Sequence, residues 1–270
     1  MSLSRGARLA LAALTVLALV VVYLPLLLVV LNSFNPNPTF GWPPRGVTGH
    51  WWSVAAGSEG ARSALWVSLR VAALATVVSL VLGTMAALAL RRTRFFGRNT
   101  VSLLIVLPIA LPGIVTGIAL NNAFRTIFGW QLGLLTIVVA HATFCIVTVF
   151  NNVQARLRRA GGQLEEASMD LGAGTFTTFR LVTFPMMRSA LLAGALLSFG
   201  LSFDEIVVTT FTAGASVQTL PIWIFNNLFR PNQAPVVNVV AAVLIVASAV
   251  PIYAAQRLSG AAQEDLTGGR

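Results

Sequence analysis

The 270-residue chain contains no lysine, and apart from 2 histidines all of its basic residues, 18 in number, are arginine. A phosphate loop of the form G-x4-G-K-[ST] therefore cannot occur, since its lysine is the group that reaches the β- and γ-phosphates. Any ATP hydrolysis in which the chain takes part must come from another subunit. Acids are scarcer still, with 8 Asp and Glu together, and charged residues make up only 10% of the chain. Soluble domains carry about 25%. The single cysteine, Cys145, excludes an intrachain disulfide and a multi-cysteine metal cage. Neither a G-x-S-x-G elbow nor an H-E-x-x-H helix is present, so an intramembrane enzyme has little support. His141 and Cys145 share a helical face at i, i+4, where two ligands can begin a metal site. With no third ligand nearby in sequence, they read as small polar groups packed inside a helix bundle, and no metal is expected.

What the chain has in excess is apolar surface: 56% hydrophobic residues and a mean hydropathy of +0.82. These values define an all-α integral membrane protein. A helix needs about 20 apolar residues to cross about 30 Å of hydrocarbon, and it leaves no backbone group unpaired there. Six candidate spans emerge, at residues 9–31, 65–90, 101–120, 133–153, 189–210 and 236–256, within a single transmembrane domain over 1–270. The short alternating segments of a membrane β-barrel are absent. Arg5 and Arg8 before an apolar run also resemble the start of a secretory signal. The run over 9–31 is longer than the roughly 7–15 residues of a signal core and no A-x-A site follows, so it is expected to be retained.

Arginine placement orients the bundle. With a cytoplasmic N-terminus, that side holds Arg5, Arg8, Arg91, Arg92, Arg94, Arg98, Arg156, Arg158, Arg159, Arg180, Arg188, Arg257 and Arg270. The other side holds Arg45, Arg62, Arg125 and Arg230, and Arg70 falls inside the second span. The positive-inside rule then places both termini in the cytoplasm. The formal charge of +10 is thus mainly topological, and no nucleic-acid partner is expected. The outer loop over 32–64 is rich in Asn, Pro and Trp, including Pro36, Pro38, Trp42, Trp51 and Trp52. It suits either an ordered cap able to dock an external partner or an aromatic interfacial belt. In the third span, Pro108 and Pro112 followed by Gly113 and Gly117 favour a kinked helix.

Between the fourth and fifth spans lies a polar loop, 154–188. Gln163 to Met169 are good helix formers, and Glu165 and Glu166 sit early enough to favour the positive end of the helix dipole. Gly172 and Gly174 can end that helix with a positive φ. A second short helix over 175–182 is expected to stop before Pro185. The result is an exposed knob built on Ala167, Met169, Leu171 and Phe176. The run Glu166-Ala167-Ser168-Met169-Asp170-Leu171-Gly172, closed by Val182-Thr183-Phe184-Pro185, resembles the E-A-A-x3-G-x9-I-x-L-P loop of the membrane subunits of ABC importers. Glu166, Ala167, Gly172 and Pro185 fall on its register, while Ser168, Val182 and Phe184 depart from it conservatively. The resemblance implies that Glu165, Glu166, Ala167, Ser168, Met169, Asp170, Leu171, Gly172, Phe176 and Pro185 couple the chain to a separate ATPase.

A second stretch narrows the resemblance. Residues 197–211, containing Phe203, Asp204 and Glu205, followed by Leu220-Pro221 and Asn238, look like the second permease of spermidine/putrescine-type importers. Acids within or at the end of a membrane helix are costly and functional by default. Asp204, Glu205, Phe203 and Trp223 are therefore candidate pathway residues, though at most one of the adjacent acids is expected to face the pathway. The alternative is that the acids pair with an outer arginine such as Arg230 or cap the helix end. The resemblance implies a type I ABC importer permease fold in the bacterial inner membrane and no cofactor in this chain. It implies as partners a second, non-identical permease, two ATPase subunits binding ATP and Mg, an extracytoplasmic solute-binding protein, and lipid. The competing functions are an importer of an iron complex, a phosphonate or a peptide, or a secondary transporter or channel, for which no inverted repeat is evident.

Overall fold

The computed structural model describes residues 4–37, 43–44, 46–92, 96–230 and 233–248. Among them there is no strand, as expected of a chain whose apolar runs are helical in length. The chain divides into two units, Met1–Arg62 with Ile224–Arg270, and Ser63–Trp223.

In the first unit, α1 (Arg5–Asn32) starts where the Ser4 side chain accepts from the Ala7 amide at 3.2 Å. It ends as the Ser33 hydroxyl donates to the Val30 carbonyl at 2.6 Å. No residue of α1 is buried, including those around its internal Pro25. An apolar helix of that kind is built to face lipid or another chain. The segment after it is ordered by aromatics: Phe34 stacks on Trp52 at 5.2 Å, and the Trp51 indole donates to the Asn35 carbonyl at 2.9 Å, beside α2 (His50–Gly57). These contacts favour the ordered-cap reading of the outer loop for its described part, while Pro38, Trp42 and Arg45 lie outside the described residues. Helix α12 (Ala234–Ser248) covers the first part of the sixth candidate span, and residues 249–256 lie outside the described ones, as do Arg94, Arg257 and Arg270.

The second unit is organised on α6 (Leu134–Ala160), with Ile137, Val147, Val149, Phe150 and Val153 fully buried. Small residues set the approach of its neighbours, as membrane helices require. A Cβ on Gly83 of α3 (Glu59–Arg92) would lie 2.9 Å from the Ile146 carbonyl. One on Gly194 of α9 (Phe184–Phe203) would lie 3.4 Å from Val149 Cα. At 34 residues, α3 is about 51 Å long, more than a bilayer core needs. The uncharged stretch 71–90 between Arg70 and Arg91 is the part of spanning length, and Arg70 lies 5.1 Å over the Trp66 ring, a pairing suited to an interface.

The larger departures from the sequence reading lie in the third, fourth and fifth spans. The third span is broken rather than kinked: α4 (Arg98–Ala110) and α5 (Gly113–Asn122), which runs into a π turn at Ala123–Ile127, are bent by 105°. Leu111 precedes a proline and is driven to the extended region, ψ 142°, which ends the helix. Helix α6 runs seven residues beyond 153 to Ala160, so the polar loop proper begins at Gly161. The fifth span is continuous over Thr175–Phe203 and stops at Asp204, short of 210, with a separate α10 (Val207–Thr212) beyond it. Four helices are long and apolar enough to cross a membrane, or five with the bent pair counted as one span, among the described residues.

Candidate functional site

The loop between α6 and α9 folds as a helical hairpin. Helix α7 (Gln163–Asp170) opens at Gly162, whose carbonyl accepts from the Glu165 and Glu166 amides at 3.0 Å each. It closes in a Schellman motif, in which the Gly172 amide donates to Met169 O at 2.9 Å and the Ala173 amide to Ser168 O at 3.1 Å. Gly172 takes the required left-handed φ of 86°. Gly174, expected to do the same, is instead extended at φ −68°, because it stands at the N-cap of α8 (Thr175–Thr178). The Ser168 and Thr178 hydroxyls, 3.1 Å apart, fasten α7 to α8.

The outer face of this hairpin is apolar and uncovered. Leu171 is 90% exposed, Phe176 75% and Met169 49%, with Ala167, Glu166 and Asp170 exposed beside them. Apolar side chains clustered in this way on a polar loop form a surface suited to interaction rather than to water. Glu165 points the other way. Its carboxylate is 3.0 Å from the Arg91 guanidinium and accepts the Thr183 hydroxyl at 2.6 Å, with the two charged side chains 12% and 21% exposed. Successive helical residues are about 100° apart, so adjacent acids are turned to opposite tasks. Pro185 does not stop the second helix as expected. A π turn at Phe179–Thr183 carries the chain from α8 straight into α9. A widened turn accommodates the proline ring, whose N–H is missing in any case. Sequence reasoning counted Arg91 only as a topological charge and passed over Thr183, because nothing local marks residues whose shared partner, Glu165, is 74 positions from one and 18 from the other.

The second group sits where α9 breaks. Asp204 closes α9, its amide donating to Gly200 O at 3.2 Å, and its side chain is exposed. Glu205 caps α10, its Oε1 accepting the Val208 amide at 2.9 Å. Neither acid forms an ion pair among the described residues. Beneath them, the fully buried His141 lies 2.8 Å from the Ser202 hydroxyl and 2.9 Å from that of Thr209. Its imidazole thus ties α6 to both sides of the break. Cys145 donates to Ser198 O at 3.4 Å. These contacts match the packed-polar reading of the pair, and no cluster of three potential metal ligands occurs among the described residues. Phe203 is half-buried and stacks on Phe199 at 6.0 Å, while Trp223 is buried in α11 (Leu220–Leu228) rather than set against open space.

A broken apolar bundle with a helical hairpin presented at one end defines a class of membrane transport subunits. The chain belongs to the family of binding-protein-dependent transport system inner membrane components, which matches residues 79–262. It is an inner-membrane permease subunit of an ABC importer, in a family that is not itself an ATPase. The Escherichia coli K12 putrescine transport system permease protein PotI is 34% identical over 252 residues, covering 90% of this chain and 88% of PotI. The spermidine/putrescine permease PotC of the same strain is 34% identical over 237 residues, covering 88% and 89%. PotC of Haemophilus influenzae is 32% identical, covering 88% of this chain and 91% of its own length. The fold is shared with a chain of a bacterial ABC transporter that imports the acidic polysaccharide alginate, at TM-score 0.70 and 15% identity over 96% of this chain and 98% of that one.

Proposed function

We propose that the chain is one of two non-identical permeases of a polyamine importer and that the α7–α8 hairpin is its contact with an ATPase subunit that binds ATP and Mg. The observation that carries this is the uncovered apolar face of Met169, Leu171 and Phe176 on a hairpin whose first helix closes in a Schellman motif. Such a face, rigid and outward, suits a groove in a partner. ATP-driven closure of two ATPase subunits displaces the hairpin, and the bundle exchanges between inward- and outward-open arrangements beneath a solute-binding protein. Both termini and the hairpin then lie in the cytoplasm, in keeping with the arginine distribution.

The names of the relatives support a polyamine as solute, and so does Asp204. An exposed carboxylate at the break of a membrane helix is placed to lower the cost of a di- or polycation crossing a low-dielectric region. Glu205, engaged with the Val208 amide, holds the break in shape, and at most one acid of the pair meets the solute directly. The test of the contact is co-purification. The double variant Leu171→Arg/Phe176→Arg is expected to insert in the membrane at the normal level and lose the ATPase subunits. Normal ATPase stoichiometry in that variant would overturn the assignment.

A further inference from the structure

Four elements meet at one ion pair, Arg91–Glu165. Glu165 belongs to the first turn of α7, Arg91 to the last turn of α3, and Thr183 to the π turn that opens α9. The same guanidinium also donates to the carbonyl of Gly161, the residue that caps α6. Thr183 is fully buried, so its hydroxyl has no water to exchange for the carboxylate. A planar guanidinium that holds a carboxylate with one nitrogen and a helix-end carbonyl with another fixes orientation as well as distance. The outward neighbour Glu166 makes no such tie, which separates the two acids of the loop by role.

We infer that Arg91, Glu165 and Thr183 form a rigid junction that makes α7 move as one body with the ends of α3, α6 and α9, so that Arg91 and Glu165 are positioning residues for transport rather than ATPase contacts. The inference rests on the proposed ATPase contact only for the source of the motion. If the hairpin were tied to the bundle by its chain connections alone, α7 would swivel about Gly161 and Gly172, both of which have positive φ. The junction removes that freedom. Displacement of the exposed face of the hairpin then reaches three membrane helices at once.

The experiment uses the assembled complex with nitroxide labels on cysteines replacing Gln163 of α7 and the exposed Met85 of α3, in a Cys145→Ser background, and reads the distance distribution without nucleotide and after vanadate trapping. The wild-type junction is expected to give one narrow distribution, the same in both states. Arg91→Gln is expected to add a second population on trapping, and Glu165→Gln, which keeps size and an acceptor oxygen but removes the charge, is expected to add one as well. A loss of stability alone would lower recovery of the complex in both states and would not give a second population confined to the trapped one. Where Arg91→Gln is not recovered from the membrane, Thr183→Val keeps both charges and is expected to show the same second population. A wild-type distance that shifts on trapping, or variants that leave the single distribution intact, would overturn the junction. Failure of the ATPase contact would show separately, as normal ATPase stoichiometry in Leu171→Arg/Phe176→Arg.

Discussion

At the scale of single residues, adjacent side chains in this chain do opposite work, and each division can be tested. Glu205 accepts a backbone amide as the cap of α10, whereas Asp204 is exposed and unpaired. Glu205→Gln keeps an acceptor oxygen and is expected to leave stability within a few tenths of a kcal/mol, while Glu205→Ala is expected to cost about 1 kcal/mol, the usual value of a lost cap. Thermal unfolding of the purified complex distinguishes them. Asp204→Asn keeps shape and hydrogen bonding and removes only charge, so putrescine uptake is expected to fall about tenfold, the equivalent of about 1.4 kcal/mol, with capture by the solute-binding protein unchanged. Unchanged uptake would take Asp204 out of the pathway. Which of two neighbouring acids faces outward was not legible in the sequence. For Glu165 and Glu166 it is decided by Arg91, on a helix 74 residues earlier, and for Asp204 and Glu205 by where α9 breaks.

At the scale of elements, close approach of helices is set by glycine. A Cβ on Gly117 of α5 would lie 2.7 Å from the Phe211 ring of α10, so Gly117→Ala is expected to destabilise the unit by about 1–3 kcal/mol through overpacking. Gly172 has open space around it but a φ of 86°, so Gly172→Ala is expected to cost about 1–2 kcal/mol through backbone strain alone. Differential scanning calorimetry of both variants checks the pair, and a costless Gly117→Ala would mean that α5 and α10 are not so closely packed. Local chemistry made the ends of α7 readable from sequence, through its acids and Gly172, whereas Pro108 and Pro112 pointed only to a kink where the Leu111–Pro112 step in fact stops α4. Pro185 misled because a π turn absorbs it, a solution supplied by Thr183 and Met187 being held in the interior rather than by local propensity. Of the other two candidate pathway residues, Phe203 stacks on Phe199 and Trp223 is buried in α11, surroundings that depend on packing between elements and leave no local mark in the sequence.

At the scale of the whole molecule, composition alone made the membrane class legible, since so apolar a chain has no soluble alternative. The fold class followed from the register of the hairpin between two spans. Topology is tested by cysteines placed at Gly46 and Gln163 in a Cys145→Ser background. An impermeant reagent applied to intact cells is expected to label the first and not the second. Labelling of both would refute the arrangement with cytoplasmic hairpin and termini. The proposal that this chain couples a partner's ATP hydrolysis to polyamine import is tested most directly by ATP-dependent uptake into proteoliposomes carrying the whole complex and its binding protein. Labelled putrescine and spermidine are compared there with a neutral solute, for the wild type and for Leu171→Arg/Phe176→Arg. The expected result is uptake of the polyamines alone, dependent on ATP and abolished by the double variant. Polyamine uptake that persists in the double variant, or none in the wild-type complex with active ATPase subunits, would contradict it.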